Sequence, residues 1–259
     1  MTSRLRIAVV ILLFFTSIIR AEQQISHNNK ISLQVQRFEI NRGKTPSRFA
    51  MNAYVVYSLA TRQALLIDPG HVDPRIAAFL EAQNLTLVGI LNTHGHGDHT
   101  GGNRHHAKTF SVKVYSHQAD LFFYHNPKMI ELPGQVFFSG EKDLVIRDFS
   151  IQVLETPGHS RGSVCFLIGQ MLFSGDTLRA GTIGRPAGTS AKSQEKSRLQ
   201  EIAHIKGKLL VLPDETPVYP GHGEPTTIGN EKKNNKWLRE MKNGDAQIPL
   251  RSPSSCGRV

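Results

Sequence analysis

Cysteine is nearly missing from this chain: its 259 residues include two, Cys165 and Cys256. That excludes a disulfide framework. Cys165 lies in the apolar run "SVCFLI" and reads as a small buried hydrophobe, while Cys256 falls in a polar tail, so both are expected to be free thiols. Long apolar runs are missing too. The run Ile7–Ile19 is shorter than the roughly 20 residues that span a bilayer. No internal stretch rich in proline, glycine or serine divides the chain, which argues against several domains. Acidic residues are in deficit, 21 against 31 lysines and arginines, for a formal charge of +10. On one domain such a balance reflects solubility before it reflects a partner. The basic run "EKKNNKWLREMK", Glu231 to Lys242, has helical spacing and reads as a solvated helix face, so no nucleic-acid partner is expected.

The apolar run at the start has the flanks of an export signal. Arg4 and Arg6 precede it, and Arg20 and Ala21 follow it. Residues 1–21 are therefore expected to be a signal peptide, giving a periplasmic or secreted protein. The alternative is a membrane anchor formed by residues 7–19, and a cleaved signal would leave no stable membrane insertion. Loss of Arg4, Arg6 and Arg20 lowers the formal charge from +10 to +7. One domain is expected over residues 22–244, with a disordered tail over 245–259.

Strand-like runs recur at Ser32–Phe38, Ala53–Leu59, Ala64–Ile67, Leu87–Leu91, Val112–Tyr115, Ile151–Leu154, Ser163–Ile168, Met171–Phe173 and Pro217–Tyr219. Helical segments fall between some of them. In "VDPRIAAFLEAQN", Asp73 suits an N-cap, Pro74 suits the first helical position, and Ile76, Phe79 and Leu80 form an apolar stripe. Further helices are expected around Gly102–Phe110, His117–His125, Ser193–Ile205 and Glu231–Met241. Strands mixed with helices predict an α/β layered fold.

Five of the strand-like runs end alike. "GILNTHGH", "IQVLETPGH" and "TPVYPGH" reach His96, His159 and His222 through a Gly-His turn, while "ALLIDPG" and "MLFSGD" place Asp68 and Asp176 beside glycine. Strand ends of one sheet lie side by side, so these turns are expected to converge on one edge. The densest of them, "LNTHGHGDHTGGN", holds His94, His96, Asp98 and His99. Imidazole and carboxylate are the ligands that Zn²⁺ and similar borderline ions take from proteins. In extended backbone His94 and His96 point the same way, and the following turn can swing Asp98 and His99 toward a second position. One loop thus begins two metal sites, which His159, Asp176 and His222 complete. The other histidines, His27, His71, His105, His106, His117, His125 and His204, lack that context and read as structural or surface residues.

The motifs "THGHGDHTGG", "TPGHSRGSV", "LFSGDTL" and "VYPGHG", with "IDPG" before them, resemble in order the motifs of the metallo-β-lactamase superfamily. The resemblance implies an αββα four-layer sandwich, two mixed β-sheets with helices on both outer faces. "GDTLRAGTIGR" and "LPDETPVYPGHGEPTTIGNEKKNN" resemble small glyoxalase II-like hydrolases, which cleave glutathione thioesters. Carried over, the resemblance assigns His94, His96 and His159 to one metal and Asp98, His99 and His222 to another. It makes Asp176 the bridge and Asp68 a buried acid that positions the metal loops. Two Zn²⁺ per chain are expected, with Fe or Mn as alternatives. The implied reaction is attack of a metal-bridging hydroxide on an anionic thioester such as S-lactoylglutathione, with Asp98 relaying the proton.

Two departures matter. Only 37 residues follow His222, so the C-terminal helical domain that binds glutathione in full glyoxalase II enzymes is expected to be absent. A persulfide dioxygenase with one iron is the rival reading, but Arg179, Pro186 and Ala187 stand where that group carries an aromatic, a threonine and an aspartate. A lactonase would use the same ligands. A β-lactamase with a cysteine ligand fits poorly with Asp176.

Overall fold

The structure is a computed structural model that describes residues 32–40, 50–124 and 134–239. All but residues 32 and 33 of these belong to one compact unit. The expected signal peptide and tail, Cys256, His27 and His125 lie outside the described residues.

Two mixed six-stranded sheets form the centre. The first follows the order β1 (Leu33–Ile40), β2 (Met51–Ser58), β3 (Gln63–Ile67), β4 (Thr86–Leu91), β5 (Val114–His117) and β6 (Gln135–Phe138). β2 and β3 are antiparallel, and β3 to β6 run parallel. The second sheet has β7 (Asp143–Ile146), β8 (Phe149–Glu155), β9 (Val164–Ile168), β10 (Met171–Gly175), β13 (Pro217–Pro220) and β14 (Thr226–Thr227), in the order β14-β13-β10-β9-β8-β7. Between β10 and β13 the chain makes a small hairpin of β11 (Leu178–Arg179) and β12 (Thr182–Ile183).

Burial explains why the strands read as they do. Every residue of "MNAYVVYS" in β2 is buried, as a strand covered on both faces requires. On one face Ala53, Val55 and Tyr57 pack with Ile76 and Leu80 of α1 (Pro74–Ala82) and, beyond the one-turn α2 (Gly97–Thr100), with Ala107 of α3 (Asn103–Phe110). The second sheet is covered likewise. Cys165, Leu172 and Val218 pack with Ile202 of α4 (Ala191–His204), Ile228 of α5 (Ile228–Asn234) and Leu238 of α6 (Lys236–Arg239). Between the sheets aromatic rings meet edge to face: Tyr54 on Phe173 at 5.5 Å and Phe138 on Phe166 at 6.4 Å between centroids. Tyr54 also donates its hydroxyl hydrogen to the Pro220 carbonyl at 2.6 Å, pinning the end of β13 to the first sheet. The layers are those expected, helix, sheet, sheet, helix. Among the described residues, no helix is long and apolar enough to cross a membrane.

Local signals behave as expected at α1, where Asp73 accepts the Arg75 N–H and Pro74 opens the helix. Three expectations need correction. The helix expected over His117–His125 is a 3-10 helix over Gln118–Tyr124, with His117 in β5 and its ring accepting the Ala119 N–H. The helix expected over Glu231–Met241 starts at Ile228 and breaks at Asn235, whose amide donates to Glu231 and to the Thr182 carbonyl. Nor is that helix wholly solvated, because Glu231 is fully buried and its carboxylate accepts the Gly181 N–H at the β11–β12 turn.

Phe173→Ala should cost about 3–5 kcal/mol by removing the ring between Tyr54 and Tyr219. Tyr54→Phe should cost only about 1 kcal/mol, since it removes one hydrogen bond. Denaturant melts of both variants check the ranking.

Candidate metal centre

The site stands where strands end. β3 stops at Ile67 before Asp68, β4 at Leu91 before the His94 to His99 loop, and β8 at Glu155 before the His159 turn. β10 stops at Gly175 before Asp176, and β13 at Pro220 before His222. Backbone hydrogen bonds stitch these ends together. Val164 N–H donates to the Thr93 carbonyl at 2.8 Å, Gly221 to Gly175 at 2.7 Å, and Asn52 to Gly221 at 2.7 Å. The approach is close enough to require glycine at two positions. A Cβ on Gly175, whose φ is +49°, would lie 2.2 Å from Thr93 Oγ1, and one on Gly221 would lie 2.5 Å from the His99 ring.

The seven predicted side chains come together as two triads and a carboxylate between them. In the first triad, His96 Nδ1 lies 3.0 Å from both His94 Nε2 and His159 Nε2. Nitrogens about 2.0 Å from a tetrahedral zinc would stand about 3.3 Å apart, so this spacing suits ligands of one ion. The second triad is Asp98, His99 and His222, with Asp98 Oδ2 at 3.4 Å from His222 Nε2 and 4.0 Å from His99 Nε2. Asp176 faces both. Its Oδ1 lies 3.6 Å from His99 Nε2 and 3.7 Å from His222 Nε2, and its Oδ2 lies 3.6 Å from His159 Nε2.

Hydrogen bonds behind the rings decide which nitrogen faces inward. The Nδ1 of His159 is 2.8 Å from the Arg185 carbonyl, and that of His222 is 2.8 Å from the Ala50 carbonyl. A carbonyl only accepts, so Nδ1 carries a proton in both rings and Nε2 is the nitrogen that faces the site. His99 Nδ1 meets Asp68 Oδ2 at 3.0 Å. Thr93 donates its hydroxyl hydrogen to the same Asp68 at 2.6 Å and faces His94 Nδ1 at 3.2 Å. Asp68, His94 and His99 also form a ligand-like group. Both oxygens of Asp68, however, already accept from Thr93 or His99, which makes it an orienting acid.

Charge in the site is arranged for a cation. Burial works against protonation of His99, yet Asp68, Asp176 and Asp98 together push it up to about 9. Burial likewise opposes the charge on His222, and Asp98 reverses it. The hydrogen bond from His222 holds the Asp98 carboxyl well below its ordinary range. His94 goes the other way, held neutral by burial and by the neighbouring rings. A direct test of fit comes from two buried atoms, His99 Nε2 and Asp176 Oδ1. Among the described residues neither has a hydrogen-bond partner. Buried orphans of this kind are costly, and a divalent ion between them satisfies both. The residues therefore fit a metal.

The other described histidines, His71, His105, His106, His117 and His204, join none of these groups. His106 is buried against Phe110, and His117 pairs with Glu155 at 2.8 Å. Cys165 is a free, buried thiol pushed up to about 12 by burial, as expected of an inert residue. Sequence reasoning missed Thr93, Asp120 and Glu201. Thr93 had a signal, its place directly before the cluster; Asp120 and Glu201 carry none, being single acids inside helical segments. Glu201 is buried beneath the site, and burial, with Asp176 nearby, pushes its carboxyl up to about 9.

A two-sheet sandwich with a histidine and aspartate cluster across its strand ends defines a class of metalloprotein. Residues 47–222 match the metallo-beta-lactamase superfamily, and the chain belongs to that family. It is 32% identical over 191 residues to the hydroxyacylglutathione hydrolase GloC of Haemophilus influenzae, covering 68% of this chain and 88% of that one. Among solved structures it resembles the BLEG-1 B3 metallo-beta-lactamase, with 32% identity, a TM-score of 0.67 and coverage of 80% of this chain and all of the other. ETHE1 from Myxococcus xanthus gives 26% identity and a TM-score of 0.65, covering 85% and 93% of the two chains. TTHA1623 in a di-iron-bound form gives 32% identity and a TM-score of 0.59, covering 78% of this chain and all of that one.

Asp68→Asn keeps the volume of the orienting acid but puts an amide where His99 and Thr93 donate. Zn²⁺ affinity should fall about 10- to 100-fold in chelator competition, with an unchanged far-UV circular dichroism spectrum.

Proposed function

We propose that the protein is a dinuclear metallohydrolase that cleaves a small anionic thioester such as S-lactoylglutathione, acting outside the cytosol after loss of residues 1–21. His94, His96 and His159 would hold one divalent ion, Asp98, His99 and His222 would hold the second, and Asp176 would serve both. The observation that carries this reading is the split of the Asp176 carboxylate, one oxygen toward each triad. Its likeness to TTHA1623, named for a di-iron-bound form, supports two positions, and its likeness to GloC supports the thioester. Nitrogen-rich ligands favour Zn²⁺, with Fe or Mn as alternatives.

Two bound divalent ions supply Lewis acidity and water acidified to a pKa of about 7. The chain's own groups do the rest. The rings of His94, His159 and His222 are locked by the groups behind their Nδ1 atoms, so the site is preorganised and reaction requires little rearrangement. Asp98 is the open acid of the cluster, 40% exposed against 10% for Asp176. It is ionised, and it is placed to take the proton of an attacking water and return it to the departing sulfur. A thiol of pKa about 8.5 leaves readily as thiolate, so this relay is an aid rather than a requirement.

Protein comprising residues 22–259 should hydrolyse S-lactoylglutathione with about two metals per chain and lose turnover on chelation. Asp176→Ala should lower both bound metal and turnover at least about 100-fold, because it removes the ligand shared by both triads. A fully active Asp176→Ala variant contradicts the assignment. A metal-loaded wild type that leaves the thioester intact but cleaves a lactone or β-lactam moves the substrate class and keeps the site.

A further inference from the structure

Asp120 lies on the 3-10 helix between β5 and β6, outside every ligand-like group, and is buried. Its carboxylate reaches two separate loops. Oδ2 accepts the Gly95 N–H at 2.8 Å and the Ser160 hydroxyl at 2.6 Å, and Oδ1 accepts the Gly162 N–H at 2.7 Å. Gly95 stands between His94 and His96, while Ser160 and Gly162 follow His159. The two loops leave strands of different sheets, β4 of the first and β8 of the second. Both glycines are needed for this approach. A Cβ on Gly95 would fall 2.8 Å from Phe123 and 3.0 Å from the Asp120 Cβ, and one on Gly162 would fall 2.7 Å from the Asp120 Cγ.

The same short helix supports the triad a second way. Phe123 packs its ring edge to face on His96 with centroids 4.7 Å apart. His96 is the histidine whose Nδ1 meets both His94 and His159 at 3.0 Å, so its placement sets the geometry of the triad. Asp68, by contrast, bonds to the His99 ring and so serves the second triad most directly.

We infer that Asp120 is a positioning residue for the His94, His96 and His159 triad, clasping the two loops that carry it. The inference rests on the dinuclear reading above. Three charge-assisted hydrogen bonds, two from backbone N–H groups and one from the Ser160 hydroxyl, hold the two loops, and without them the histidines keep their identity but lose their spacing. Asp120 touches no ligand atom and has no part in proton transfer.

The test is Zn²⁺ titration of the metal-stripped full-length protein against a chromophoric chelator, with native mass spectrometry counting bound ions, for wild type, Asp120→Asn, Asp120→Ala and Ser160→Ala. Wild type should bind two ions. Asp120→Asn should weaken one site about 10- to 100-fold and leave the other within about 3-fold, with a larger loss for Asp120→Ala and a smaller one for Ser160→Ala in the same site. At saturating metal, kcat for thioester hydrolysis should fall while KM changes little. The melting temperature of metal-free protein separates positioning from folding, and Ser160→Ala, a milder change, keeps the test open if Asp120→Ala does not fold. Two ions bound with wild-type affinity in Asp120→Asn, or equal weakening of both sites in Ser160→Ala, overturns the inference. Wild type that binds one ion or none overturns the dinuclear reading itself.

Discussion

Everything at this edge of the sandwich depends on placing carboxylate charge among crowded imidazoles. Five histidine rings and two acids meet within a few ångströms, and the rings would repel one another if protonated. Asp176 stands between the two triads, Asp98 belongs to the second and Asp68 lies behind them, and these three acids make the edge a place where positive charge is stabilised. His99 shows the effect most clearly: it is fully buried yet held in its charged range by three carboxylates. The orphaned Nε2 of His99 and Oδ1 of Asp176 show that protons alone leave the arrangement incomplete.

Such a site needs a scaffold stiff enough to hold polar groups out of water. Buried strands β2, β3, β9 and β10, packed between helices, provide it, and their ends deliver Asp68 and Asp176 to the edge. Contacts that cross between sheets tie the site to this frame. Tyr54 and Asn52 of the first sheet bond to the backbone of residues 220–223, beside His222, and Thr93 accepts from Val164 of the second sheet. Asp120 adds a side-chain clasp between the loops of β4 and β8.

Much of this was legible in the sequence, for physical reasons that also explain what was not. The central strands are long and apolar, so their period-2 or continuous patterns are strong, and all nine expected strands exist within a few residues of their expected bounds. β6 and β7 were missed because they are short strands at the edges of their sheets, where "QVFF" is mostly half-buried and Val145 of "DLVI" is mostly exposed, so neither shows a clear apolar face. The clustering of these seven side chains was legible because several sit close together and the others repeat a Gly-His or Gly-Asp turn after a strand. Asp120 and Glu201 were not, because a single acid in an amphipathic segment reads as surface until tertiary contacts bury it. Glu231 failed the same way, its burial being set by the distant Gly181 N–H.

The central claim is that the seven side chains form two metal positions sharing Asp176. Anomalous diffraction at the zinc absorption edge, from crystals of metal-loaded protein, tests it most directly. The account predicts two peaks per chain, one among His94, His96 and His159 and the other among Asp98, His99 and His222, both within ligand distance of Asp176. A single peak, or one centred on Asp68, His94 and His99, would contradict it.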